Sequence, residues 1–188
     1  MVEPRARIER ARGDEAVKVV DGAFERNVGI DRRQKLKWRE GAVRRFQDIA
    51  VTLNYLGTRS DIDNQKIAYE GNSLGANFAP IVLAMEPRFK VAILLAGGLG
   101  HLPELPESDP MHFAPRVRVP VLMLNGRYDY TFPLEISQKP LFRLLGTPEK
   151  DKKHVIFDSA HGVQIGNRTE LIREVLQWLD RYLGPVQR

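Results

Sequence analysis

The spacing of apolar and polar positions changes along the chain, and each change marks an element. From residue 40 to 56, Val43, Phe46, Ile49, Ala50, Leu53 and Leu56 recur at helical spacing, and Gly57 supplies a stop. An amphipathic helix is predicted there. The stretch before it, ERNVGIDRRQKLKWRE, reads as a polar connection with a short helical turn. KIAY (66–69), KVAILLA (90–96), PVLMLNG (120–126) and KHVIFD (153–158) are short apolar runs of the kind that buried strands show. AVKVVDGAF (16–24) also has strand character. An apolar helix is predicted from just after GNSLG (71–75) to Met85; Pro80 must sit near its first turns or kink it. LEISQKPLFRLLG reads as a helix interrupted by Pro140. NRTELIREVLQWLDRYLG closes the pattern as an amphipathic helix, with Leu171, Val175, Leu179 and Tyr182 on one stripe and Asn167 and Glu170 as a capping box. Residues 99–118, rich in proline, read as an irregular excursion.

Apolar strands alternating with amphipathic helices imply an α/β fold: a mostly parallel sheet of about five strands with helices on both faces. One domain is expected over residues 16–188, after a charged arm at 1–15. In such sheets, ligands bind beyond the carboxyl ends of the strands. Three strand ends carry chemistry. After KIAY comes Gly71-Asn72-Ser73-Leu74-Gly75. After VLMLN comes Gly126-Arg127-Tyr128-Asp129. After HVIF comes Asp158-Ser159-Ala160-His161-Gly162.

A serine hydroxyl is a weak nucleophile until a base takes its proton, and neutral imidazole does this near pH 7. A carboxylate then holds the ring in one tautomer and stabilises the imidazolium. Ser73, His161 and Asp129 supply the three parts, and Asp158 is the alternative acid. Gly71 and Gly75 are expected to relieve clashes around a tight strand-to-helix turn. The Leu74 N–H, at the start of the next helix, is the candidate oxyanion donor. His101 and His112 lie in the excursion, and His154 lies within a strand. GGLG (97–100) reads as a turn, and neither a phosphate loop nor a metal-ligand spacing is present.

Composition changes this picture little. The chain has 188 residues, a net charge of +5 and no cysteine, so a thiol nucleophile is excluded. Residues 1–45 hold 13 basic and 8 acidic residues, while the remainder hold 16 of each, so all the excess charge sits in the first quarter. Acids interleave with those arginines, which favours a solvated leader over a nucleic-acid site. No apolar run approaches the roughly 20 residues of a membrane span. The N-terminal stretch is charged and unlike a secretory signal, so a cytoplasmic location is expected.

The residues GNSLG, NGRYDYTFP and DSAHG together resemble the α/β-hydrolase superfamily, over about residues 17–183. The phrase DPMHFAPRVRVPVLMLNGRYD is most similar to dienelactone-hydrolase and prolyl-oligopeptidase-like esterases. The resemblance implies Ser73 as nucleophile, Asp129 as acid and His161 as base, in a cofactor-free hydrolysis of small carboxylic esters through an acyl-enzyme. Asn72, Gly22, Ala23, Tyr130 and His112 are pocket candidates. Few strands precede Ser73, so an N-terminally shortened member or a fragment is expected. Leu74 then needs a second oxyanion donor, from Gly22, Ala23 or a partner. A bare sheet edge would favour a homo-oligomer. The alternatives are a serine peptidase with the same triad, and a non-catalytic remnant that acts as a binding module.

Overall fold

The computed structural model describes residues 32–185. The residues from Trp38 onward form one compact unit, which carries the sheet. The predicted strand at 16–24, the arm at 1–15, Gly22 and Ala23 lie outside the described residues.

Helix α1 runs Arg32–Gly57, then β1 Ala68–Asn72, α2 Leu74–Met85 and β2 Val91–Leu95. A short helix, α3 (Pro110–Phe113), interrupts the excursion before β3 at Val121–Gly126. A π-helical turn at Leu134–Gln138 leads into α4 (Lys139–Leu144), then β4 (Lys152–Phe157) and α5 (Gln164–Leu183) follow. The four strands are parallel, in the order β1-β2-β3-β4. About five were expected; four are present among the described residues, where β1 has β2 as its one strand neighbour.

Alternation along the strands divides the core. Ala92 and Leu94 of β2 and Val121 and Met123 of β3 face one cluster, with α1, α2 and α4 packed on it. Val91, Ile93, Leu122 and Leu124 face the other, under α5. Because both faces are covered, β3 is buried at every position, which is why it reads as an unbroken apolar run.

Several boundaries differ from expectation. Helix α1 starts at Arg32 rather than near residue 40, because RRQKLKWRE is built of strong helix formers. Within the compact unit, Trp38 Nε1 also donates to the Ser108 carbonyl at 2.8 Å. The packed face of α1 is Ala42, Phe46, Ile49, Leu53 and Leu56. Val43 lies off that stripe and is 53% exposed. Strand β1 runs on to Asn72 because Gly71 and Asn72 still pair with Leu94 and Leu95. Pro80 lies inside α2, past its first turn. Pro140 is the second residue of α4, which follows directly on the π-helical turn, so it lies where the helix changes type and does not break it. No capping box forms at Asn167: its amide donates to the Val163 and Ile165 carbonyls, after a break at Ile165 and Gly166. Leu171, Val175, Leu179 and Tyr182 do pack on the sheet, around buried Trp178.

Candidate active site

Ser73 sits between the last residue of β1 and the first of α2. Its backbone has φ 51 and ψ −107, a conformation that costs a non-glycine residue about 1–3 kcal/mol. Two hydrogen bonds hold it there: Ser73 N–H donates to the Leu95 carbonyl at 2.8 Å, and Asn77 N–H donates to the Ser73 carbonyl at 2.9 Å. Ser73 occupies the N-cap position, yet its hydroxyl makes no capping bond. The hydroxyl turns outward instead, 2.8 Å from His161 Nε2.

The two glycines beside it do different things. A Cβ on Gly71 would lie 2.6 Å from the Gly75 carbonyl carbon and oxygen, so the turn closes only with glycine there. A Cβ on Gly75 would meet only the Tyr69 hydroxyl, at 4.0 Å. The expectation that both glycines relieve a clash is therefore corrected for Gly75. Tyr69 donates to the Gly75 carbonyl at 2.8 Å, and burial pushes its phenol up to about 12.

His161 follows β4 on a loop that crosses Gly126, where any Cβ would strike the Ala160 and Ser159 carbonyls. Its Nδ1 lies 2.9 Å from Asp129 Oδ2. Asp129 is buried and its other oxygen accepts from the N–H groups of Thr131 (2.8 Å) and Phe132 (3.0 Å). An ionised carboxylate only accepts, so Nδ1 carries the ring proton and Nε2 is left to accept from the Ser73 hydroxyl. The Phe132 ring lies 6.1 Å from the His161 ring, and Gln138 braces the acid loop by donating to the Phe132 and Gly126 carbonyls.

Three side chains from three strand ends thus form one hydrogen-bonded series. Asp158, the alternative acid, takes no part: it pairs with Arg127 at 2.8 Å and its side chain is 77% exposed. Leu74 is the first residue of α2, so its N–H has no acceptor within the helix. Asn72 and His112 are exposed, and Tyr130 projects into solvent at 90% exposure. His101 Nε2 donates to the Thr131 carbonyl at 2.7 Å, beside the acid loop. His154 lies in β4, 3.1 Å from Asn125, and burial beside Lys139 lowers it to about 4. Among the described residues, no group of His, Cys, Asp and Glu side chains is arranged to hold a metal. Nor is any helix there long and apolar enough to cross a membrane.

Sequence reading missed Asn77, Asn125, Ser137 and Gln138, all buried behind the site. Polar residues within otherwise apolar runs, as in VLMLNG and ANFAP, were the available signal.

The chain has the α/β-hydrolase fold, and its solved neighbours are members of that superfamily. No family model matches it. It is similar to a cold-adapted esterase from an Arctic intertidal metagenomic library, with 26% identity and a TM-score of 0.62, over 83% of this chain and 66% of that one. It is similar in fold to the acylaminoacyl peptidase of Pyrococcus horikoshii, with 20% identity and a TM-score of 0.62, over 76% of this chain and 28% of that one. A 2,6-dihydroxy-pseudo-oxynicotine hydrolase matches with 22% identity and a TM-score of 0.60, over 73% of this chain and 46% of that one. The chain spans less than two thirds of the length of each.

Proposed function

We propose that this chain is a serine hydrolase that cleaves small, short-acyl carboxylic esters. The observation that carries the reading is the series Asp129–His161–Ser73, with contacts of 2.9 and 2.8 Å, built on a serine held at positive φ. Ser73 Oγ attacks the ester carbonyl carbon while His161 Nε2 takes the hydroxyl proton. Asp129 orients the ring and stabilises the imidazolium. The Leu74 N–H, at the positive end of α2, donates to the oxyanion. His161 then returns the proton to the leaving alkoxide, and water repeats the sequence on the acyl-enzyme. The excursion after β2 is anchored by the buried residues Ser108, Asp109, Ala114 and Val117.

The test is hydrolysis of p-nitrophenyl acetate and butyrate by the wild-type chain and by Ser73→Ala. Turnover that disappears with the hydroxyl supports the reading; equal rates in the two proteins reject it. Aminoacyl amides run in parallel separate an esterase from a peptidase that uses the same three residues.

A further inference from the structure

The segment after β2 lies between the two halves of the site. On one side, a Cβ on Gly97 would lie 2.2 Å from Ala76 Cβ, in the first turn after Ser73. On the other, a Cβ on Gly98 would lie 3.1 Å from Phe132 Cβ, on the acid loop. The segment enters this gap through Ala96, which has φ 48. Three buried side chains then hold three successive carbonyls. Asn125 Nδ2 donates to Gly97 at 2.8 Å, Asn77 Nδ2 to Gly98 at 2.8 Å and Ser137 Oγ to Leu99 at 2.6 Å. They come from β3, α2 and the π-helical turn. Asn125 is itself oriented: its Oδ1 lies 3.1 Å from His154 Nε2, which leaves its amide to face Gly97.

We infer that Asn77, Asn125 and Ser137 are positioning residues, whose clamp on residues 97–99 sets the separation between the Ser73 turn and the Asp129 loop. This rests on the serine-hydrolase reading. The physical reason is the sensitivity of proton transfer to distance. His161 is held by Asp129 and must reach Ser73, and the 97–99 segment is packed between Ala76, just after Ser73, and Phe132, on the Asp129 loop. Without a donor, a buried carbonyl either stays unsatisfied or pulls the segment toward another partner. Either way the spacing relaxes, and displacements near 1 Å cost about 10²-fold in rate.

Asn125→Asp keeps the side chain's size and an acceptor for His154, and replaces the donor to Gly97. Its expected effect is a fall in kcat of about 10- to 100-fold, with KM changed by less than about threefold. The rate of Ser73 labelling by a small alkyl fluorophosphonate is expected to fall in parallel. Ser137→Ala removes a single hydroxyl and serves if the first variant does not fold; a kcat loss of at least about threefold is expected. Wild-type kcat in folded Asn125→Asp or in Ser137→Ala overturns the inference, as does a loss seen only in KM. If the wild type labels at Ser73 but hydrolyses no ester, the ester reading fails and the labelling-rate ratios still decide the clamp. If the wild type does not label at all, both readings fail.

Discussion

Gly71→Ala and Gly75→Ala are the same chemical change at two ends of one five-residue turn, and they should have opposite outcomes. At position 71 the new methyl would stand 2.6 Å from the Gly75 carbonyl atoms and 2.8 Å from Ala76 N, whereas ordinary contact begins at 3.4 Å. Backbone atoms have to retreat by roughly 0.8 Å, and they belong to the first turn of α2. Overpacking of this kind costs about 1–3 kcal/mol, which lowers the melting temperature of a chain this size by roughly 2–12 °C. The same retreat moves Ser73 off His161, so a loss of about 10²-fold in kcat is expected. At position 75 the methyl meets nothing nearer than 4.0 Å, and alanine replaces glycine within a helix. A gain of up to about 1 kcal/mol follows, with activity within a few-fold of wild type. Thermal unfolding by circular dichroism and p-nitrophenyl acetate turnover measure both effects. If Gly75→Ala is as damaging as Gly71→Ala, or if Gly71→Ala is silent, the geometry assigned to the turn is wrong.

The remaining predictions test other parts of the site. Asp129→Asn removes the negative charge that fixes the His161 tautomer and should lower kcat by about 10³–10⁴-fold; Asp158→Asn, which disturbs only an exposed pair, should leave steady-state kinetics within about twofold. His154 is neutral when folded because its pKa is depressed to about 4, so the unfolded chain binds the extra proton first as pH falls. Stability is then full above about pH 6.5 and declines toward pH 4, by up to about 3 kcal/mol. Urea unfolding of the wild type and His154→Gln across that range should show a shallower pH slope in the variant; equal slopes would remove His154 as the cause. Phe78→Ala, at a site in α2 that is 2% exposed beneath Arg45 of α1, should cost about 3–5 kcal/mol by chemical denaturation.

The parts that could be read from the sequence are those in which one physical constraint acts locally. Strands buried on both faces show as apolar runs, so β2, β3 and β4 were found to within about a residue. The order serine, aspartate, histidine at three strand ends was visible because this fold places ligands there. Asp129 is preferred to Asp158 because Asp158 stands only three residues before His161 and would need a tight local loop; the loop turns Asp129 inward and leaves Asp158 exposed. The face of α1 was misplaced by one residue at Val43, because an aliphatic side chain is apolar whether or not it finds a neighbour. The roles of Asn77, Asn125 and Ser137 stayed hidden because each depends on a carbonyl from a distant segment, and sequence spacing carries no record of such partners.

Whether Ser73 becomes covalently acylated or phosphonylated is the most direct question to put to this protein. Incubation with a fluorophosphonate, digestion and mass spectrometry of the peptide that contains GNSLG would answer it. The expected result is one stoichiometric adduct on Ser73, absent in Ser73→Ala and formed far more slowly in His161→Ala. No adduct, or an adduct on another serine while Ser73 stays unmodified, would contradict the assignment of the site.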